Sequence, residues 1–424
     1  MEAVPASYFG EIRRNARSLA AAALGSGGGL MLMSYTTTIF GPYLVRTFGW
    51  SRSQFALIGL AMFSTLIALP FIGRLTDRFG VRRTALVGVL GIPACLSAYS
   101  FMSGSFPTYF AISCMILALG SFTSPVVYTR LIAADFDKAR GLALTFVTIA
   151  PALLGAIAAP LLTAVIDAWG WRFGYRALAA FVLVCGLTAL ALVPPHDRDG
   201  VAGARVHVAT VRADYGAILR SGPFWMIFVA MLLCTLQTPL HSSQMALMLH
   251  DNHLGSGVVA GMISIYGLGT VIGRVGCGLA LDRFSAPVVA AISMLPPALG
   301  YALLASSVDT TVVIGAAMFM VGFAVGAEGD LQSFLVARYF PLRIFSTTLS
   351  LVYCGVFAAS ALGALLLSVL LRTSDSFAPF LMVVACAIAL GSLVFLMLPR
   401  GRTAPGSHAG DDPSSRTVPA LEMQ

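Results

Sequence analysis

Charged side chains are scarce in this sequence. Only 10% of its 424 residues are charged, 58% are hydrophobic, and the mean hydropathy is +0.87. Soluble domains carry about 25% charged residues, so this composition excludes a soluble enzyme, a disordered chain and a collagen-like fibre. The remaining class is a protein that crosses a membrane many times.

Patterns for binding metals and nucleotides are also missing. The seven cysteines all lie in apolar stretches, none is spaced C-x-x-C, and no histidine stands at a ligand spacing from them. We interpret them as small buried apolar residues rather than as a disulfide framework or a metal site. Because no Walker A pattern and no clustered His, Asp, Glu or Ser set occurs, we expect no enzyme activity, no cofactor and no metal ion.

Long apolar runs account for most of the chain. A membrane-spanning helix needs about 20 mainly apolar residues. Twelve candidate runs are present, at 18–46, 54–73, 84–103, 107–131, 141–166, 175–194, 223–249, 257–281, 286–307, 310–337, 346–370 and 376–399. We therefore predict an all-α membrane protein with twelve transmembrane helices and no soluble domain.

The basic residues are distributed unevenly between the loops. The chain has 26 basic residues, of which only Lys138 is a lysine, and a formal net charge of +8. If the N-terminus is cytoplasmic, about 20 of the 26 lie on the inner side and five on the outer side, as the positive-inside rule requires. We interpret this charge as a rim facing lipid headgroups, not as a nucleic-acid interface. We predict a monomeric, multi-pass protein of the inner cell membrane with both termini cytoplasmic.

The chain divides into two halves of six spans each. G-R-L-T-D-R-F at 73–79, after the second span, matches G-L-A-L-D-R-F at 278–284, after the eighth. A repeat at the same place in each half predicts two six-helix pseudo-repeat bundles. The predicted N-terminal bundle, cytoplasmic linker, C-terminal bundle and disordered cytoplasmic tail are 1–195, 196–220, 221–399 and 400–424.

The segment after the second span resembles a family signature. The run G-R-L-T-D-R-F-G-V-R-R at 73–83 resembles the loop 2–3 motif of the major facilitator superfamily, G-x-L-x-D-R-x-G-x-R-R. Three other stretches resemble its monocarboxylate-porter and oxalate/formate-antiporter branch, namely F-D-K-A-R-G-L-A at 136–143, G-R-V-G-C-G at 273–278 and G-A-E-G-D-L at 326–331. The resemblance implies the major facilitator fold and a small organic anion as substrate.

The repeated motif also predicts a gate. Gly73 and Gly80 permit close packing and a tight turn. Asp77, near a helix end, is predicted to accept hydrogen bonds from backbone N–H groups or from an arginine. The resemblance implies that such clusters lock the two halves together on the cytoplasmic side; the alternative is that they only anchor the topology. The residues assigned to the gate are Gly73, Asp77, Arg78, Gly80, Asp282 and Arg283.

Three charged residues lie within predicted spans, where a charge needs a partner or a wet cavity. Arg274, Glu328 and Asp330 are each about 12 to 15 Å from the inner end of their span, at 1.5 Å per residue. We predict that Arg274 binds the substrate carboxylate with its guanidinium. One acid, Asp330 or Glu328, is predicted to pair with Arg274 in the empty site and to take up a proton when the substrate displaces it. The alternative is a permanent structural Arg–Asp pair.

A single buried base suits one carboxylate better than two, which favours a monocarboxylate. The sequence thus predicts a secondary carrier that works by alternating access and moves protons with the anion. The alternatives are a proton-driven exporter of drugs or other metabolites and an anion exchanger. Polar residues that either complete the site or only pack between helices are Tyr35, Thr36, Thr37, Tyr128, Gln237, His241 and Tyr353.

Overall fold

Helices form almost all of the chain that the structure describes. The computed structural model describes residues 8–49, 61–194, 208–240, 245, 248–249, 256–306, 310–374 and 376–399, and these contain no strand. The helices are α1 (Tyr8–Arg14), α2 (Ala16–Gly27), α3 (Leu30–Phe48), α4 (Met62–Ser100), α5 (Phe106–Gly120), α6 (Pro125–Asp135), α7 (Arg140–Trp169), α8 (Trp171–Leu192), α9 (Val208–Leu219), α10 (Gly222–Thr235), α11 (Ser256–Arg283), α12 (Ala286–Met294), α13 (Pro296–Ala305), α14 (Thr311–Tyr339), α15 (Phe345–Ser374) and α16 (Ala378–Leu396).

Single helices or consecutive pairs of them form segments that are long and apolar enough to cross a membrane. Within the described residues nine segments qualify, or ten if α9 and α10, which meet at a 63° bend, count as one span. The predicted all-α membrane architecture is therefore confirmed. The first part of the predicted linker, 196–207, and the predicted tail, 400–424, lie outside the described residues.

The outer surface of the bundle is apolar. Ile67, Leu153 and Leu365 are 68%, 60% and 65% exposed, and they belong to three different helices. Exposed aliphatic side chains at this density are unfavourable in water and suit the hydrocarbon of a bilayer. The surface therefore fits a protein surrounded by lipid.

The predicted second and third spans form one helix with a break. Gly80 has φ 78° and ψ 169°, which interrupts the helical backbone of α4 between them. A side chain with a Cβ is strained at such a positive φ, so glycine fits this position. Gly80 makes the turn that the motif predicted.

Helices α11 and α14 pack backbone against backbone. A Cβ on Gly273 would lie 1.9 Å from the Phe323 carbonyl oxygen, and a Cβ on Gly326 would lie 2.0 Å from that of Thr270. Small residues four positions apart allow this approach in membranes, and here they bring Arg274 beside α14. The glycines that form the contact are Gly269, Gly273, Gly322 and Gly326.

The two halves share one apolar core at one end of the molecule. The larger core joins residues of both halves, for example Leu144 with Leu281, whereas the smaller core lies within the N-terminal half, where the rings of Phe40 and Tyr175 stack at 3.8 Å. We call the end where the halves meet the arginine-rich end. It is defined by three basic residues, Arg74, Arg130 and Arg343.

Candidate functional site

Asp77 in α4 caps the first turn of α15, a helix of the other half. Its carboxylate accepts hydrogen bonds from the backbone N–H groups of Ser346 (3.0 Å) and Thr347 (2.7 Å) and from the Thr347 hydroxyl (2.6 Å). Arg130 donates to Asp77 at 2.6 Å and to the Leu342 carbonyl oxygen at 2.6 Å. Because free N–H groups and the helix dipole stabilise an anion at a helix N-terminus, Asp77 ties the halves together.

Asp282 in α11, a helix of the C-terminal half, makes the equivalent contact with the N-terminal half. Its carboxylate accepts from the N–H groups of Gly141 (2.5 Å) and Leu142 (3.0 Å), at the start of α7 in the N-terminal half. The Tyr8 hydroxyl donates to the same carboxylate at 2.7 Å. The two copies of the motif therefore form a pseudo-symmetric pair of contacts at the arginine-rich end.

The first glycine of each motif copy brings the halves into contact. A Cβ on Gly73 would lie 2.4 Å from the Ser346 carbonyl oxygen. A Cβ on Gly278 would lie 2.0 Å from the Thr145 hydroxyl, and one on Gly141 would lie 2.1 Å from the Gly278 carbonyl oxygen. Close packing at Gly73 was predicted, but its partner in the other half was not.

The arginine that follows the aspartate in each motif copy lies outside these contacts. Arg78 is exposed, with its guanidinium 4.9 Å from the centre of the Phe79 ring, and Arg283 is exposed as well. One residue along a helix turns the side chain by about 100°, so Arg78 faces away from the interface that Asp77 enters. Arg130, expected only as part of the inner rim, takes the place of ion-pair partner to Asp77.

The linker helix α9 adds a second acidic bridge. Asp214, 3% exposed, pairs with Arg74 at 2.7 Å and with Arg343 at 2.6 Å. Arg74 belongs to α4, whereas Arg343 lies in the turn just before α15. One buried carboxylate therefore connects the linker to both halves.

The N-terminal helix α1 packs on the same end. Glu11, 6% exposed, accepts hydrogen bonds from the N–H groups of Asp137 (2.9 Å) and Ala139 (2.8 Å), just before α7. Burial, and then the hydrogen bond to Asp282, raise the pKa of Tyr8 well above its ordinary value. Tyr8 therefore keeps its proton and stays a donor to Asp282 at neutral pH.

Arg274 in α11 reaches across to the N-terminal half. Its Nη1 donates to the Thr148 carbonyl oxygen at 2.8 Å, and its Nε donates to the Gly326 carbonyl oxygen at 3.3 Å. Among the described residues Arg274 forms no ion pair. The expected Arg274–Asp330 pair is thus not formed, and the oxygens of Asp330 accept threonine hydroxyls instead.

Asp330 in α14 also binds the other half. It is 0% exposed, and each of its carboxylate oxygens accepts one hydroxyl. Thr145 donates to Oδ2 at 2.8 Å and Thr148 donates to Oδ1 at 2.7 Å, both from α7. Ionised carboxylates form strong hydrogen bonds with such donors, so Asp330 connects α14 to α7.

Glu328 points to a different side of α14, as the helical spacing predicted. It is half-buried, and its carboxylate accepts one hydrogen bond, from Gln332 of the same helix at 3.3 Å. It lies close enough to Arg274, Tyr266 and Tyr353 to interact with them electrostatically. The residues that we call the central cluster are Arg274, Glu328, Asp330, Thr145 and Thr148.

Tyr353 is the predicted tyrosine that the structure brings to the central cluster. It is half-buried on α15 and interacts electrostatically with Glu328, Asp330 and Arg274. Tyr35, 46% exposed, packs within its own N-terminal half instead, where a Cβ on Gly155 would lie 2.7 Å from its Cβ. Gly155 is seven residues, about 10 Å, along α7 from Thr148.

Three other predicted residues are engaged in contacts between or within helices. The Tyr128 ring is fully buried over Gly25, where a Cβ would lie 2.1 Å from the ring. Gln237 is 2% exposed, and its side-chain carbonyl accepts the hydroxyl of Tyr301. Thr36 donates to Leu32 of its own helix at 3.1 Å. The Thr37 side chain and His241 lie outside the described part of the chain.

Sequence reasoning missed the two threonines of α7. They lie three residues apart in an apolar stretch of the helix, which places both hydroxyls on one face. That spacing is a signal for a polar contact inside a membrane. The Asp214 bridge gave no such signal, because its partners are far away in sequence.

Comparisons with known proteins agree with this architecture. No curated protein matches the chain. Among solved structures, a variant of the E. coli fucose:proton symporter aligns with a TM-score of 0.70 at 12% identity, covering 91% of this chain and 98% of that chain. A bacterial homologue of the iron transporter ferroportin, in an outward-facing state, gives 0.71 at 15%, covering 90% and 98%. The proton:xylose symporter bound to 6-bromo-6-deoxy-D-glucose gives 0.64 at 13%, covering 94% and 97%.

Identities this low establish a shared fold only. The sequence itself matches the profile of the Major Facilitator Superfamily over residues 22–341. That match covers three quarters of the chain, including the motif at 73–83 and the central cluster. The chain therefore belongs to the Major Facilitator Superfamily of membrane transporters.

Proposed function

We propose that this protein carries a small organic anion, a monocarboxylate, across the inner cell membrane together with protons, acting as a monomer by alternating access. The observation that best supports this function is Arg274, placed between the halves and bonded to two carbonyl oxygens but to no carboxylate. A guanidinium with neutral partners keeps its charge, and its planar fork fits a carboxylate. An arriving anion replaces weak neutral partners with a charge-assisted pair.

The charges of the central cluster favour proton coupling. One guanidinium stands with two acids, Glu328 and Asp330, so the net charge is −1 when both acids are ionised. An added anion would bring it to −2 in a poorly hydrated place, where Coulomb repulsion is weakly screened. If one acid takes up a proton, the loaded site has the same net charge as the empty one.

Asp330 is the better candidate for the proton site because, of the two acids, it is the one that joins the halves. Its carboxylate is held by hydroxyls of α7, so a change in its charge acts directly on the contact between halves. Glu328 remains the alternative, since it accepts one hydrogen bond at 3.3 Å and interacts with Arg274. Replacing each acid separately distinguishes the two.

The remaining predicted residues take supporting roles in this proposal. Tyr353 offers the substrate a ring face and a hydroxyl next to Arg274. Tyr35 lines the path from the N-terminal half, whereas Tyr128 and Gln237 hold helices in place. The gate consists of the two motif aspartates and glycines at the arginine-rich end, where they keep the halves closed until the site is loaded.

Transport by the purified protein in liposomes tests this function. We expect counterflow of radiolabelled short or aromatic monocarboxylates, with faster net uptake when the outside is more acidic than the inside. Arg274→Ala is expected to abolish both signals. Normal uptake by that variant would refute the role of Arg274, and uptake that is indifferent to a pH gradient would remove proton symport and leave anion exchange.

The second candidate is a proton-driven exporter of drugs or other metabolites. The excess of acids over bases in the central cluster favours it, because a site of net charge −1 attracts a cation. In the same liposomes, proton-dependent movement of cationic dyes without any counterflow of carboxylates would establish this alternative. Counterflow of carboxylates without movement of cations would exclude it.

A further inference from the structure

The first two turns of α7 carry an unbroken series of contacts with the other half. Gly141 donates to Asp282 at the gate, and Thr145, four residues later, donates to Asp330. One turn further, Thr148 donates to Asp330 and accepts Arg274 on its carbonyl oxygen. The gate and the central cluster are thus about one and a half turns apart on one helix face.

Each threonine hydroxyl has a second acceptor within its own helix. Thr145 Oγ1 lies 3.1 Å from the Gly141 carbonyl oxygen, and Thr148 Oγ1 lies 3.1 Å from that of Leu144. A hydroxyl that leaves Asp330 therefore remains hydrogen-bonded. Release of α7 from Asp330 leaves no buried hydroxyl without a partner, which removes the usual penalty for breaking such a contact.

The charge of Asp330 determines the strength of this contact. An ionised carboxylate accepts both hydroxyl protons, and such charge-assisted bonds are about twice as strong as neutral ones. A protonated Asp330 carries no charge and one of its oxygens becomes a donor, so its hydrogen bonds with the threonines are neutral and weaker. Protonation therefore weakens the connection between α14 and α7 without distorting either helix.

We propose that Thr145 and Thr148 are positioning residues that couple loading of the central cluster to opening of the gate at Asp282. This inference rests on the proposed function, because it takes Asp330 as the proton site. With Asp330 ionised, both threonines hold α7 against the C-terminal half. When it is neutral, the hydroxyls turn to their own helix, and the neighbouring Gly141–Asp282 contact loses its support.

The other groups around Asp330 do not replace this contact. Arg274 and Cys277 face it from α11, and Tyr353 faces it from α15. Glu328, on the same helix as Asp330, points to a different side of that helix. No further charged group of the described residues acts on Asp330, and α7 presents only its two hydroxyls. The threonines are thus the part of its surroundings that belongs to the opposite half.

Hydrogen exchange of residues 140–148 tests the proposal in the full-length protein. Protection factors, which correct for the effect of pH on intrinsic exchange, are compared at pH 8 and pH 5. For the unmodified protein we expect protection to fall about tenfold at pH 5, the change in a two-state equilibrium for about 1.4 kcal/mol. In the double variant Thr145→Val with Thr148→Val, protection should be low at both pH values, whereas the double serine variant should retain the pH response.

Thr163→Val is the matched control, since among the described residues that hydroxyl on the same helix bonds only to the Ala159 carbonyl oxygen. It should leave the pH response unchanged. A pH-dependent loss of protection in the valine variant that equals that of the unmodified protein would overturn the proposal. If the double variant does not fold, Thr148→Val alone, on the half-buried position, decides by the same criterion.

Hydrogen exchange and uptake, measured on the same variants, together separate this inference from the proposed function. If no carboxylate is transported but the pH response of exchange protection requires the threonines, the proposed coupling is supported and the proposed substrate is refuted. If proton-coupled uptake persists in the valine variant with its ordinary pH profile, the substrate stands and the coupling is wrong. A change in the pH profile, rather than a uniform loss of rate, is what a purely structural role of the threonines would not produce.

Discussion

Gly73 of α4 and Ser346 of α15 approach each other so closely that a Cβ on the glycine would lie 2.4 Å from the serine carbonyl oxygen. The same residue that begins the sequence motif thus sets the distance between the halves at the arginine-rich end. Asp77, one turn further along, receives the first N–H groups of the same helix. The glycine permits the approach, and the aspartate holds it.

Gly73→Val should separate the halves at the arginine-rich end. The added side chain meets backbone, which cannot move aside cheaply, and overpacking of this kind costs about 1 to 3 kcal/mol. We expect longer distances between spin labels at residues 79 and 284, which are exposed in opposite halves. Gly267→Ala is the control, because nothing lies within 4 Å of a Cβ there. An unchanged distance distribution in the Gly73 variant would contradict the packing role.

Asp77→Asn should open the same end more strongly than Arg78→Ala. The asparagine removes the charge that faces Arg130, a residue 5% exposed, and the capped helix. Removing one partner of a buried ion pair costs about 3 to 5 kcal/mol. Arg78 is exposed, so its loss should have little effect on transport or on the spin-label distance. If both variants open the arginine-rich end to the same extent, Arg78 is part of the gate.

Arg274→Lys should raise the KM for a monocarboxylate by about tenfold or more, with a smaller effect on the maximal rate. Lysine keeps a positive charge but lacks the planar fork that binds two carboxylate oxygens. Uptake kinetics in liposomes measure this change. Arg283→Lys, an exposed position at the end of the same helix, provides the control. A lysine variant with unchanged KM would show that the fork does not contact the substrate.

Asp330→Asn should make uptake independent of the pH gradient. The asparagine side chain cannot take up a proton, and it mimics the neutral acid with one acceptor oxygen. Glu328→Gln, two residues away, should keep the pH dependence. The comparison is made as initial uptake rate against external pH. If the two variants exchange these behaviours, Glu328 is the proton site.

Tyr8→Phe should weaken closure at the arginine-rich end by a few-fold, because one hydrogen bond contributes about 1 kcal/mol. The raised pKa of Tyr8 means that the neutral hydroxyl is favoured in the folded protein, so this contribution is present at neutral pH and is lost only in strongly alkaline solution. Exchange protection of residues 141 and 142, whose N–H groups share Asp282, measures the effect. A loss of protection in the unmodified protein between pH 6 and pH 9 that depends on Tyr8 would contradict it.

The helices and their membrane location followed from the sequence. Apolar runs of about 20 residues leave the backbone few alternatives to a helix in a bilayer, because each polar backbone group must bond within its own segment. The sequence also predicted the turn at Gly80, because few residues other than glycine adopt its positive φ. The different orientation of Glu328 and Asp330 followed from helical geometry alone.

The partners of the charged residues did not follow. Asp77 was predicted to accept from backbone N–H groups or from an arginine, but the sequence did not identify that arginine as Arg130, 53 positions away. Asp330 was expected to pair with Arg274, yet two hydroxyls of the other half occupy it. Nearby residues in a sequence are easily proposed as partners, whereas the contacts between halves join helices that lie far apart in the chain.

The sequence by itself determined the class of protein, its apolar spans and the repeated motif, because these depend on local hydrophobicity and helical period. Only the tertiary structure decided which charges meet. Close approach at glycines such as Gly273 and Gly278 sets which helix faces touch, and a buried charge binds whatever donor that packing places within about 3 Å.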